Sequence, residues 1–288
     1  MVLKNLYIKE LHDVRKLHVI TINSKLFLSL TFGFILMFTI IALNVVYLSL
    51  LNSPVSAFSQ ENTEKVKLAI IIDDFGESRA GVKEMMEINK PLTFAIMPFL
   101  THSTEDAEEA FKKQHEVIIH LSMEPQVGKA SWLGPRPIMA TTSDELITKI
   151  VTDAYENIPH AVGVNIHMGS KASASEVVMN SVLNVVGAHK SYFVDSKTSS
   201  KRIPYKLASE KGIPCFENNV FLDSTQSKEK VKSQLRKAVN YALLDKKAVA
   251  IGHVGAEGGK ITAQAIIEML PMFEENNVEL VYISDLMK

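Results

Sequence analysis

Asp73 and Asp74 follow the apolar run Ile70-Ile71-Ile72, and His120 stands inside Val117-Ile118-Ile119-His120-Leu121, four residues before Glu124. His167 closes a run that begins at Ala161, Asp195 follows Tyr192-Phe193-Val194, and Asp223 ends the stretch from Cys215. His253 lies between glycines in Ile251-Gly252-His253-Val254-Gly255. Carboxylates and imidazoles are the groups that hold divalent metals and move protons. One aspartate after an isoleucine run reads as a helix cap. Two adjacent ones repel each other unless a cation or a shared proton separates them, so the pair reads as functional. His120 and His167 read as metal ligands, and the glycines beside His253 permit close backbone approach to it. Asp195 and Asp223 also fit turn caps at strand ends. His102, on the loop after the second apolar run, is a candidate to reach the same site. His115 reads as a surface residue, and His160 and His189 carry no signal of chemistry.

Alternating strand and helix patterns position these side chains. Strands are predicted over 67–74, 92–99, 116–123, 161–167, 192–196, 215–223, 248–254 and 278–284. Helices are predicted near 82–88, 104–114, 176–189, 229–244 and 263–274, with another capped at Ser143. Short apolar strands separated by helices imply βαβ units and a parallel sheet covered on both faces. No Gly-rich dinucleotide fingerprint is present, which favours a distorted TIM-like (β/α) barrel of seven or eight strands over an open doubly wound sheet. In such a barrel the carboxyl ends of the strands share one mouth, so acids and imidazoles from distant parts of the chain would converge there. Structural need does not account for them, because buried carboxylates are costly unless paired, hydrogen-bonded or bound to metal.

The chain has 288 residues and a formal net charge of -1, which gives no electrostatic case for nucleic-acid binding. Residues 26–51 form an uncharged apolar run, long enough to span a bilayer core that needs roughly 20 such residues. Lys4, Lys9, Arg15, Lys16 and Lys25 precede it, against Glu10 and Asp13. That excess predicts a cytoplasmic segment over 1–25, a transmembrane signal-anchor or signal peptide over 26–51, a tether over 52–66 and an extracytoplasmic domain over 67–288. Val55-Ser56-Ala57 resembles a signal-peptidase site, and cleavage near Ala57 would release the domain. The single cysteine, Cys215, excludes an intramolecular disulfide and reads as a buried thiol.

Six stretches resemble, in order, the divergent polysaccharide deacetylase family, a branch of the carbohydrate esterases related to chitooligosaccharide deacetylase. They are Ile70–Gly76, Leu92–Phe99, His115–Pro125, Ala161–Ser170, Tyr192–Ser199 and Ala250–Gly255. The resemblance implies that Asp73 is a general base, Asp74 a metal ligand, His120 a ligand and His253 a proton donor. The broader family has a second histidine where this chain has Glu124, which can itself ligate zinc. The family's third motif, with its Arg and Pro, is not recognisable at its usual place. There His167 would supply a nitrogen ligand.

The chemistry so implied is metal-assisted removal of N-acetyl groups from an extracytoplasmic glycan, with cell-wall material as a candidate substrate. A divalent ion, zinc by preference, would be bound by Asp74, His120 and His167 with Glu124 nearby. His102, Asp195 and Asp223 would touch substrate. Two other readings stand beside it. One is a metal-free glycoside hydrolase working through Asp73 with Asp195 or Asp223. The other is a non-catalytic glycan-binding protein on the same barrel.

Overall fold

A computed structural model describes residues 37–44 and 65–288. The chain divides into two units, Met1–Thr63 and Glu64–Lys288. In the first, residues 37–44 are an exposed helical stretch. The rest of the predicted membrane segment, the basic segment before it and most of the tether lie outside the described residues. Among the described residues no helix is long and apolar enough to cross a membrane.

The second unit carries nine strands: β1 (Val66–Phe75), β2 (Thr93–Ile96), β3 (Glu116–Met123), β4 (Ala161–Met168), β5 (Tyr192–Asp195), β6 (Cys215–Glu217), β7 (Val220–Phe221), β8 (Lys247–His253) and β9 (Val278–Val281). Helices lie between them: α1 (Val82–Met86), α2 (Ser103–Lys112), α3 (Asp144–Asn157), α4 (Glu176–Ala188), α5 (Ile203–Glu210), α6 (Lys228–Asp245) and α7 (Gly259–Glu275). Ser143 caps α3, its hydroxyl accepting from the Leu146 amide. All the strand pairs are parallel. The order is β6-β5-β4-β3-β2-β1-β8-β7, with β9 added to β1. β1 pairs with β8 along one edge; on the other it meets β9 through Val66–Ala69 and β2 from Ile71 onward.

The sheet is a curled parallel half-barrel, not a barrel closed by hydrogen bonds. The predicted sixth strand, 215–223, breaks into β6 and β7, which pair with opposite edges of the sheet. Asn218 and Asn219 cause the break: Asn218 accepts from the Val220 amide in a local turn, and Asn219 accepts from the Val249 amide with its side chain. Each asparagine thereby satisfies backbone groups that a continuous strand would have used.

Side chains alternate between two cores. Leu68, Ile70, Ile72, Ile119, Val164, Ile166 and Phe193 pack outward under the helices. Ala69, Ile71, Ile118, Tyr192, Val194, Val249 and Ile251 pack inside the curl, closed below by Ile283 and Leu286 from the C-terminus. Each large aliphatic side chain buried this way stabilises the fold by about 1.5–3 kcal/mol. Gly163 makes room for the interior: a Cβ there would meet the Tyr192 ring at 2.4 Å. The Tyr192 hydroxyl in turn donates to Glu116 at 2.7 Å. The short helix α5 was not predicted. His115, read as surface from sequence, is 4% exposed and stacks on Phe94.

Candidate metal centre and active site

The inner-facing parity of each strand, continued upward, leads to the polar mouth. Ala69 and Ile71 lead to Asp73, Ile118 to His120, Gly163 to Asn165 and His167, and Val249 and Ile251 to His253. Asp74 has the opposite parity and would point at the helices if β1 stayed regular. Its φ of 71° breaks the alternation where the register of β1 against β2 shifts. Both carboxylates of the pair therefore face the mouth. A left-handed aspartate costs on the order of 1 kcal/mol, which the surrounding bonds offset.

Three ligand-type atoms converge. Asp74 Oδ1 is 3.1 Å from His120 Nε2 and 2.9 Å from His167 Nδ1, and the two nitrogens are 3.2 Å apart. A tetrahedral ion with bonds of about 2.0–2.1 Å has its donors about 3.3 Å apart, so the spacing fits. The far nitrogen of each ring is already committed. His120 Nδ1 donates to Asn165 Oδ1 at 2.7 Å, and His167 Nε2 donates to the Trp132 carbonyl at 3.0 Å. In the neutral state each ring therefore turns a lone pair toward Asp74. Three lone pairs pointed at one place repel unless a cation lies among them. Such outer hydrogen bonds also hold metal-binding imidazoles in the required tautomer.

The electrostatics agree. Burial disfavours the charge on Asp74, but His120 and His167, which when protonated donate to it and carry positive charge beside it, overcome this and hold the carboxyl well below the usual range. Burial likewise opposes a charged His120, yet Asp73 and Asp74 outweigh it and keep its pKa above the ordinary value. The site favours positive charge between its acids.

Asp73 stands one residue from this centre and opposite His253 in the β1–β8 ladder. Its Oδ1 accepts from Asn165 Nδ2 at 2.7 Å, leaving Oδ2 for other partners. Burial raises its pKa above that of an ordinary aspartate, against the pull of His120 and His253. His253 Nδ1 donates to Asp223 Oδ1 at 2.7 Å. Burial opposes its charge, but the bond to Asp223 and the charge of Asp73 outweigh it and hold the pKa at about 10. The Asp223 Oδ2 atom accepts from the His253 amide and the Thr262 hydroxyl. Gly258 makes this packing possible, since a Cβ there would lie 1.9 Å from Asp223 Oδ2.

The mouth opens as a cavity of about 560 Å³ whose walls include Asp73, Asp74, His120, His167, Asp223 and His253. Three sequence expectations, for Glu124, His102 and Asp195, come out differently. Glu124 is not among the converging donors: β3 ends at Met123, and the carboxylate turns to Lys171 Nζ at 2.8 Å and the Ala140 amide at 2.9 Å. His102 faces Glu105 of its own helix at 2.9 Å and does not line the cavity. Asp195 has outward parity and accepts from the Lys197 amide, so Ser196 takes the wall position in its place. Asp223 borders the cavity, but His253 and Thr262 occupy its carboxylate, which suits positioning more than substrate contact. Asn165, which joins Asp73 to His120, was not singled out from sequence. The signal was available: it has the same parity as His167, two residues earlier in an otherwise apolar strand.

Residues 70–287 match the family model for divergent polysaccharide deacetylases. The chain is 30% identical over 210 residues to YibQ of Escherichia coli K12, covering 71% of this chain and 64% of that one. It is 28% identical over 187 residues to a Haemophilus influenzae protein, covering 65% and 66%. The chain thus spans slightly less than two thirds of the length of these relatives. Among solved structures it is similar to Agrobacterium tumefaciens ATU2773, with a TM-score of 0.68 at 18% identity over 78% of this chain and 90% of that one. At that identity the likeness shows the fold alone.

Proposed function

The chain belongs to the divergent polysaccharide deacetylase family, and from this we propose that it is a metal-dependent hydrolase removing N-acetyl groups from a polysaccharide. The observation that carries the reading is the convergence of Asp74 Oδ1, His120 Nε2 and His167 Nδ1, with both rings fixed in the tautomer that faces inward. One carboxylate and two imidazoles suit zinc, and three protein ligands leave a position open, as catalytic zinc sites do. The ion, when bound, supplies Lewis acidity toward the amide carbonyl.

This chain's own residues supply the proton transfers. Asp73 Oδ2 accepts a proton from the water whose oxygen adds to the carbonyl carbon. His253, charged at neutral pH and held by Asp223, donates a proton to the nitrogen as the C–N bond breaks. Acetate and a free amino sugar result. Action outside the cytoplasm, on cell-wall glycan, is part of the proposal and rests on the basic residues ahead of the 26–51 run.

The metal-free glycosidase reading loses its second carboxylate, because Asp195 faces away from the mouth and Asp223 is fully bonded. Calorimetric titration of the metal-free protein with zinc tests the metal centre. One ion should bind per chain, and His167→Ala should abolish that binding. Equal binding by the variant would contradict the site.

A further inference from the structure

The two imidazoles of the metal centre are held in different ways. The outer partner of His120 is Asn165, a fully buried residue inside β4. The outer partner of His167 is the Trp132 carbonyl, on the long loop between β3 and α3. That carbonyl belongs to a one-turn helix, Ala130–Trp132, in which no residue is buried. An exposed turn cannot fix the place of a carbonyl by its own packing, so a neighbouring group must hold it.

The next residue is held twice. The Leu133 side chain is 4% exposed, so the turn ends on an apolar anchor. The Leu133 carbonyl accepts from the Ser122 hydroxyl. Ser122 lies in β3 directly opposite His167 in the β3–β4 ladder, and it shares the inner face with His120 two residues earlier. It has the parity of a mouth residue, yet it is 5% exposed and does not border the cavity. Its hydroxyl proton is committed to the loop instead. Its carbonyl accepts from the Ile138 amide, so the same strand position also holds the returning end of that loop. The path to the ligand is short. It runs from the Ser122 hydroxyl to the Leu133 carbonyl, back one peptide to the Trp132 carbonyl, and on to His167 Nε2. Without the hydroxyl, a buried carbonyl loses its partner and the turn can shift. His167 Nε2 then has no fixed acceptor, and its proton can move to Nδ1, the atom that must turn a lone pair toward Asp74 and the ion.

We propose that Ser122 is a positioning residue of the metal centre, fixing the tautomer and orientation of His167 through the turn at Ala130–Leu133. This role rests on the reading of Asp74, His120 and His167 as a metal site, but the His167 ring can be observed without metal. Nitrogen NMR of the metal-free full-length protein, at a pH where the ring is neutral, should place the wild-type proton on Nε2. Ser122→Ala should give a mixture of the two tautomers at His167. The His120 ring should stay as in wild type, because Asn165 is untouched. Calorimetry should show zinc affinity lowered about tenfold, the low end of the usual effect of an outer partner, because Ser122 acts one residue removed. Ser122→Thr keeps the hydroxyl and should restore both the ring signals and the affinity. Leu133→Ala loosens the same turn from its other anchor and should reproduce both effects of Ser122→Ala. A serine that serves the fold alone would lower the urea midpoint and leave the His167 signals and zinc affinity unchanged. That result in Ser122→Ala and Leu133→Ala would overturn the role, and so would an equal loss in Ser122→Thr. If the wild type binds no zinc, the metal reading fails, and the His167 ring still decides. Mixed tautomers in Ser122→Ala would support the positioning role, and an unaltered ring would overturn it.

Discussion

The Nδ1 atom of His253 lies 2.7 Å from Asp223 Oδ1, and the backbone amide of the same histidine donates to Asp223 Oδ2. One carboxylate therefore holds both the ring and the main chain of His253, with its remaining capacity taken by Thr262. This fixes the tautomer: the proton is at Nδ1, and Nε2 is the atom free to exchange a proton in the mouth.

Asp223→Asn should lower the pKa of His253 from about 10 toward its ordinary value near 6.5. Hydrolysis needs the charged ring as donor, so the alkaline limb of the rate profile should move down in pH. The same shift is linked to stability. The pKa is raised in the folded state, so the stabilisation is whole below about pH 6.5 and is lost as the pH rises through about 10. An NMR titration of the His253 ring in wild type and variant checks the assignment. A ring that titrates near 6.5 in the wild type would contradict it.

Asp73→Asn should retain zinc and the fold and lose about 10²–10⁴-fold in hydrolysis, because an amide cannot take the water's proton. Asp74→Asn should differ by losing metal as well. Zinc content measured beside acetate release separates the two, and equal metal loss in both would remove the distinction between base and ligand.

Much of this arrangement was legible in the chain. Isoleucine and valine runs marked the strands, and His120, His167 and His253 stood out as imidazoles at the ends of apolar runs. What escaped reading depended on backbone detail. Glu124 keeps the family spacing, but β3 stops one residue short of it and Lys171 draws it away. Asp195 looked like Asp73 in type and setting, yet outward parity turns it from the mouth, and parity is fixed only once the inner face is known. Asp74 reaches the site through a left-handed φ that no pattern announces. The Asn218-Asn219 break that opens the barrel resembled an irregular strand.

Asn165 is fully buried and bonds to both Asp73 and His120. Asn165→Ala should strand both partners, destabilising the domain by about 1–3 kcal/mol. It should also weaken zinc binding by about 10–100-fold, the usual effect of removing an outer-shell partner. Urea unfolding and zinc titration measure the two effects separately. Unchanged zinc affinity would mean that Asn165 serves the fold alone.

Glu124→Gln should leave zinc affinity within about twofold of wild type, since its carboxylate serves Lys171 and the Ala140 amide. The loop carrying Trp132 follows Glu124, so a small gain in its proteolytic sensitivity is the expected secondary effect. A large loss of zinc affinity would return Glu124 to the ligand set.

The most direct measurement is acetate release from N-acetylglucosamine oligomers by the full-length protein, first stripped of metal and then given one equivalent of zinc. The expected result is no release from the stripped protein and recovery that is complete at one equivalent. Release that persists after stripping, or no release from the zinc-loaded protein, would contradict a deacetylase built on Asp74, His120 and His167.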